Sequence, residues 1–222
     1  VIALEPLPVD IGESLRSYWQ KRLWQHHRDF YKGRHLMKLP EDLRTYQHVI
    51  EACRPEVILE FGTGFGASAI WFADQLQVLL GEGEVVTIGN HPIPPGDPLH
   101  DDFLADKRIT FIEGDLLDEA VVKRVHDLCG HKRVMVCEDS GHTRMTTYGA
   151  LSLYSDLVPK GSWFVVEDGI VDVPTLSIWD PTGVKPSIEK FLASEQGQRF
   201  VGHDLSIYGV SMHIDGWLEA IA

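Results

Sequence analysis

From Val57 to Val166 the chain switches repeatedly between short runs of consecutive apolar residues and longer stretches in which apolar residues recur every three or four positions. The short runs, Val57 to Glu60, Glu84 to Ile88, Ile109 to Ile112, Val134 to Cys137 and Trp163 to Val166, predict strands buried on both faces. Ser68 to Leu80, Glu119 to Leu128 and Met145 to Leu157 carry the helical period between them. Strands alternating with helices imply a parallel sheet covered on both sides. The tail departs from this rhythm. A helix from about Pro186 to Glu195 is followed by two strand-like runs, Arg199 to Asp204 and Tyr208 to Ile214, whose short link predicts a hairpin.

Ahead of the alternation, Leu15, Trp19, Leu23 and Trp24 form an apolar stripe at helical spacing, ended by Gly33. A second helix opens at Leu39-Pro40-Glu41-Asp42 and runs to about Cys53, with proline and acids at its positive end. The expected fold is a Rossmann-like, doubly wound, mostly parallel α/β sheet with a C-terminal antiparallel hairpin. Residues 1–54 form a helical segment packing on the core or on a partner subunit, and 55–222 the main domain. Internal repeats and low-complexity tracts are absent from the sequence.

Composition narrows the partners. The 222 residues are 44% hydrophobic and 24% charged, as in an ordinary globular protein. A formal net charge of -13 argues against nucleic acid or an anionic membrane surface as the main partner. It suits a metal ion or a neutral or cationic ligand. Cys53, Cys129 and Cys137 are odd in number, widely spaced and set in apolar surroundings, which points to reduced core thiols and a cytoplasmic protein. No apolar run approaches the roughly 20 residues that span a bilayer, and Val1 to Pro8 is too short for a signal h-region.

Three motifs carry chemistry. Glu60-Phe61-Gly62-Thr63-Gly64-Phe65-Gly66-Ala67-Ser68 is a strand end, a glycine turn and a helix start, the place where open α/β sheets bind ligands. Its G-x-G-x-G spacing, with no G-K-[ST], disfavours a dinucleotide or a nucleoside triphosphate, and Glu60 before the first glycine suits a cationic ligand. Glu138-Asp139-Ser140-Gly141-His142 and Glu167-Asp168 also end predicted parallel strands, on the same sheet edge. Asp139, Glu167 and Asp168 so placed repel one another unless a cation holds them. Oxygen donors without cysteine favour a hard divalent ion, Mg²⁺, with Mn²⁺ and Ca²⁺ as alternatives. The plainer alternative is that Glu167 and Asp168 cap a turn and stay solvated.

Glu60 to Gly66 resembles the first motif of class I S-adenosylmethionine-dependent methyltransferases. The segment Val134 to Gly169, with Asp139-Ser140-Gly141-His142, Pro159-Lys160-Gly161 and Glu167-Asp168, is similar to their cephalosporin hydroxylase-like branch, which includes rhamnosyl and macrolide sugar O-methyltransferases. The likeness extends over His35 to Leu43 with Tyr46-Gln47, Ser187 to Leu192 and Asp215 to Leu218, so it spans roughly Leu36 to the C-terminus. It implies S-adenosylmethionine against Gly62, Thr63, Gly64, Gly66 and Ser68, its ammonium group near Glu60, and Mg²⁺ on Asp139, Glu167 and Asp168. Asp115, ending the third strand, is the candidate for the adenine amine.

His142, three residues past Asp139, is the candidate proton acceptor, since imidazole titrates near neutrality; a structural role is the alternative. For His26, His27, His91, His100, His126 and His131 a surface position is expected. The second strand departs from the branch: Gly89 stands where an aspartate usually binds the ribose hydroxyls, leaving Asn90 as the nearest acceptor.

The sequence thus implies a Mg²⁺- and S-adenosylmethionine-dependent O-methyltransferase acting on a hydroxyl of a small molecule: a vicinal diol, catechol or sugar. It would act as a homo-oligomer through its N-terminal helices. The alternative is a metal-binding protein of the same fold with another reaction, or with a non-catalytic partner role in a biosynthetic pathway.

Overall fold

The computed structural model describes residues 10, 12–90 and 100–222. Val1 to Pro8, His91 and residues 92–99 of the expected loop Gly89 to Asp106 lie outside the described residues.

The sheet begins with β3 (Val57–Phe61), followed by helix α3 (Ala67–Leu80), β4 (Glu84–Gly89), a short α4 (His100–Ala105) and β5 (Ile109–Glu113). Then come α5 (Glu119–Cys129), β6 (Val134–Glu138), α6 (Arg144–Tyr154), β7 (Trp163–Val166), α7 (Val184–Leu192), β8 (Phe200–His203) and β9 (Trp217–Ala220). Before it lie α1 (Leu15–His26), a ribbon of β1 (Phe30–Tyr31) and β2 (Arg34–His35), and α2 (Pro40–Cys53). The seven strands are ordered β5-β4-β3-β6-β7-β9-β8, with β3, β4, β5, β6 and β7 parallel and β9 antiparallel to both β7 and β8.

Strand alternation divides the core. Val57, Leu59 and Phe61 of β3 face one apolar layer with α5, α6 and α7, while Ile58 faces the other with α2 and α3. Glu60 therefore points, among apolar neighbours, to the α2–α3 side. The chain winds from β3 outward through β4 and β5, and from β6 outward through β7. The strand order reverses between β3 and β6, where ligands of open α/β sheets bind.

The expected strand Tyr208 to Ile214 does not form. Its place in the sheet is taken by Trp217–Ala220. Residues 208–214 instead cross the carboxyl ends of the strands. The Met212 amide donates to Asp42 Oδ2 at 2.9 Å, and the Met212 carbonyl accepts from Ile170 N at 2.9 Å. These bonds to α2 and to the turn after β7 occupy groups a strand would need for a ladder. The antiparallel pair is real, but a long crossing loop joins it. The expected loop before β5 also contains α4, and Phe103 of that helix is buried. Of the N-terminal stripe, Trp19 and Leu23 join the main core, whereas Leu15 and Trp24 are 77% and 62% exposed. His26, expected at the surface, is buried. All three cysteines are buried and free. Among the described residues no helix is long and apolar enough to cross a membrane.

Candidate active site

The loops after β3 and β6 touch. A Cβ placed on Gly62 would lie 1.9 Å from the Asp139 carbonyl oxygen, and Gly62 has φ of 97°, so only glycine fits where the two loops cross. Asp139 N donates to Phe61 O and Glu167 N to Glu138 O, both at 2.9 Å, carrying the ladder one residue past the strand ends and holding the acidic residues in step.

A cavity of about 410 Å³ opens at this point, within the range of small-molecule sites. Of the residues expected at the cofactor, Gly62, Thr63, Gly64, Ser68, Asn90 and Asp115 line it, and so do Asp139 and His142. Glu60 and Gly66 do not. Gly66 precedes α3 in a left-handed conformation. The Glu60 side chain is fully buried: Oε2 accepts from Thr87 Oγ1 at 2.6 Å, and Oε1 has no partner. Burial raises its pKa, with the Lys38 ammonium opposing.

At Gly89 an added Cβ would sit 3.0 Å from Thr63 Oγ1 and 3.1 Å from Thr63 Cβ. Thr63 is turned into that space by a hydrogen bond to Thr87 Oγ1 at 2.7 Å. Gly89 and Thr63 thus form one packing arrangement.

Glu138 ties down the loop that follows it. Its Oε1 accepts from the Ser140 hydroxyl and, at 3.2 Å, from Ser140 N; Oε2 accepts from Thr147 Oγ1 of α6 at 3.3 Å. His142 then lies with Nε2 3.6 Å from Asp139 Oδ1 and 3.4 Å from Asp168 Oδ2, while Nδ1 is buried without a partner. Burial disfavours the imidazolium, but Asp168 and Asp139 outweigh it and raise the His142 pKa.

The two acids after β7 part company at a tight turn. Asp168 is left-handed, φ 58°, and a Cβ on Gly169 would meet the Ile214 carbonyl at 2.0 Å. Glu167 turns inward: Oε2 accepts from Lys38 Nζ at 2.6 Å, and Oε1 accepts from Tyr46 OH at 2.7 Å and Cys137 Sγ at 2.8 Å. Burial alone would raise its pKa, but Lys38 and His213 hold it at about 2. Lys38 Nζ also donates to Asp139 Oδ2 at 2.8 Å. Burial and the neighbouring Glu167 charge nevertheless push Asp139 up to about 7.

Two sets of donor atoms lie close enough to hold a cation, within 4.8 Å of one another: Asp139, His142 and Asp168, and Glu167, Asp168 and His213. Asp168 belongs to both, whereas Asp139 and Glu167 fall in different sets, each completed by a histidine. Glu167 and Asp168 are not solvated turn caps.

Four residues here carry no role in the sequence reading. Lys38 comes from the segment just before α2, and Asp42 and Tyr46 from α2 itself. His213 comes from the crossing loop; its Nδ1 accepts from Asp168 N at 3.3 Å, and its Nε2 lies 3.6 Å from Glu167 and 3.8 Å from Asp42. The one available signal for Lys38 was a lysine set between Leu36 and Leu39, both buried.

Comparison with known proteins places this fold in a family. Residues 22–221 match the family model described as Rhamnosyl O-methyltransferase/CmcI. The Rhamnosyl O-methyltransferase of Mycobacterium tuberculosis is 24% identical over 159 residues, 70% of this chain and 62% of the relative; that of Mycobacterium leprae is 24% identical over 155 residues, 68% and 61%. The chain spans just over three fifths of the length of these curated relatives. Among solved structures, CmcI in a Mg-SAM form superposes with a TM-score of 0.64 at 19% identity, over 97% of this chain and 82% of that one. MycE, from the mycinamycin biosynthetic pathway and in complex with Mg and SAH, superposes with a TM-score of 0.53 at 17% identity, over 80% and 48%. With a family match that runs from α1 through β9 and a seven-stranded, mostly parallel sheet to go with it, the chain belongs to the rhamnosyl O-methyltransferase/CmcI family.

Proposed function

We propose that the protein is a Mg²⁺-dependent O-methyltransferase that uses S-adenosylmethionine to methylate a hydroxyl of a small molecule. Vicinal diols, catechols and sugars are the acceptor classes that present two oxygens to one metal. The observation that carries the reading is the crossing of the glycine loop and the acidic loop at Gly62 and Asp139, which brings a cofactor-sized cavity against a cluster of oxygen donors. The Mg and SAM found with CmcI, and the Mg and SAH found with MycE, support both cofactors.

The donor set fits a hard cation. In this reading Asp139, Glu167 and Asp168, drawn from the two overlapping donor sets, are the metal ligands, and their carboxylates suit Mg²⁺, or Mn²⁺ or Ca²⁺. Gly62, Thr63, Gly64 and Ser68 flank the methionine part of the cofactor, with Gly66 setting the start of α3. Asn90 accepts from the ribose, and Asp115 receives the adenine amine. Glu60, buried beneath the loop and hydrogen-bonded to Thr87, is the acid assigned to the cofactor's ammonium group, acting through the loop and not by lining the cavity. The bound metal and cofactor supply, respectively, acidification of the acceptor hydroxyl and an electrophilic methyl group. His142 Nε2 accepts the hydroxyl proton, and Asp139 and Asp168 hold the ring toward it. The cavity walls would hold the acceptor next to the bound cofactor, and that proximity would remove much of the entropic barrier.

Residues 1–54 act in this reading as a segment that completes the site, and exposed Leu15 and Trp24 mark the face for a second copy. A methyl-transfer assay over a panel of diols, catechols and sugars tests the function. Transfer that stops in excess EDTA is expected; rates unchanged by EDTA contradict it. Gly89 favours a second reading, a metal-binding member of the fold with another reaction or a partner role. Metal binding without cofactor binding is the result that reading expects.

A further inference from the structure

Lys38 is one of the largest fully buried side chains among the described residues, 2% exposed, and it reaches the acid cluster from outside the sheet. It sits between Met37, in a left-handed conformation with φ 53°, and Leu39, which is wholly buried and leads directly into α2. The chain is therefore fixed on both sides of the lysine. Its ammonium donates to one oxygen of Asp139 and one of Glu167, at 2.8 and 2.6 Å. The remaining Glu167 oxygen is taken by Tyr46 and Cys137, and Asp139 Oδ1 is left facing His142.

A buried carboxylate is costly unless a cation and hydrogen bonds compensate it. Asp42, Glu60, Glu138, Asp139, Glu167 and Asp168 all gather at this edge of a chain with a net charge of -13. Lys38 is the permanent cation that the fold places among them.

We propose that Lys38 is a built-in counter-cation for the metal site: it holds Asp139 and Glu167 in place when no divalent ion is bound, and it shares those two carboxylates with the ion when one is. The inference rests on the metal reading above. Lys38 is a positioning residue that acts through Asp139 and Glu167. Two cations sharing a pair of carboxylates oppose each other, so the metal binds less tightly with Lys38 present, and the metal-free fold depends on Lys38 more than the metal-bound fold does.

The test compares wild type with Lys38→Met and Lys38→Gln, measuring thermal midpoints in EDTA and in saturating Mg²⁺, with Mg²⁺ affinity by calorimetry. Both variants should melt below wild type in EDTA, and the gap should narrow in Mg²⁺. Mg²⁺ should bind them about tenfold or more tightly than wild type. Recovery of folded Lys38→Met only in Mg²⁺ is the same result in stronger form; if that variant does not fold in either condition, Lys38→Gln decides. A gap of equal size with and without Mg²⁺, or weaker Mg²⁺ binding by the variants, overturns the inference and leaves Lys38 a packing residue. Wild type that neither binds Mg²⁺ nor is stabilised by it overturns the metal reading, and the inference with it.

Discussion

His142 Nε2 lies 3.4 Å from Asp168 Oδ2, on the side of the imidazole turned to the acidic cluster. The carboxylates proposed to gather a cation also raise the basicity of His142, the proposed proton acceptor. In that reading proton and metal compete for one set of charges.

That competition sets the pH dependence of metal binding. Asp139, raised to about 7 by burial and by Glu167, must lose its proton to serve as a ligand. Mg²⁺ affinity should fall below about pH 7, by up to about tenfold per pH unit. Calorimetry at pH 6 in buffers of different ionisation enthalpy should show protons released on binding; zero release contradicts the assignment.

Stability of the metal-free protein follows with its sign. The Asp139 pKa is higher in the folded state than the unfolded value near 3.9, so its contribution falls as pH rises from about 4 to about 7. Glu167, held at about 2, works the other way: it stabilises above its unfolded value and loses that contribution as pH falls toward 2. In denaturant titrations, Asp139→Asn should therefore gain on wild type between pH 5 and pH 7.5. A constant difference across that window would count against the raised pKa.

Asp168→Asn separates metal binding from folding. Its side chain is partly exposed and belongs to both donor groups. We expect Mg²⁺ affinity to drop at least about tenfold, with the thermal midpoint of the metal-free protein within a few degrees of wild type. Undiminished Mg²⁺ affinity by calorimetry contradicts its place as a ligand.

Position 89 tests the cofactor half of the site. Gly89→Asp alone meets Thr63 at 3.0 to 3.1 Å and should improve S-adenosylmethionine binding little. Gly89→Asp with Thr63→Ala opens that space and supplies a charged acceptor for the ribose. A hydrogen bond to a charged group is worth about 1.5 to 3 kcal/mol, so calorimetry should show roughly a tenfold or greater gain. Equal effects of the single and double variants would show that positions 63 and 89 are not coupled.

Gly62→Ala probes the crossing of the two loops. Its Cβ would overlap the Asp139 carbonyl, at 1.9 Å, in a backbone conformation that side chains rarely adopt. A loss of about 3 kcal/mol or more is expected from denaturant melts, with cofactor and metal binding impaired together. Near-normal stability would mean the loops are not locked as described.

The parallel strands were legible because each is a short apolar run at a glycine- or acid-marked end, and Asp139, Glu167 and Asp168 could be grouped from their places at those ends. The crossing loop reads as a strand in sequence because Tyr208, Val210, Met212 and Ile214 alternate like one. Their backbone bonds are long-range, Met212 to Asp42 and Ile170, and no local pattern announces them. Lys38 escaped for a related reason: a lysine is ordinarily exposed, and only the fold brings it to carboxylates 101 and 129 residues away. The N-terminal segment reads as packing in sequence, yet it supplies the charge and the tyrosine that bind Glu167.

If one cavity takes a sulfonium cofactor beside a divalent ion, both ligands bind the purified protein. Calorimetric titration with S-adenosylmethionine, in Mg²⁺ and in EDTA, is the decisive measurement. Saturable binding at one site per chain is expected, lost when Asn90 and Asp115 are both replaced by alanine, with separate saturable binding of Mg²⁺. Mg²⁺ binding with no cofactor binding in either condition would contradict a cavity that takes both.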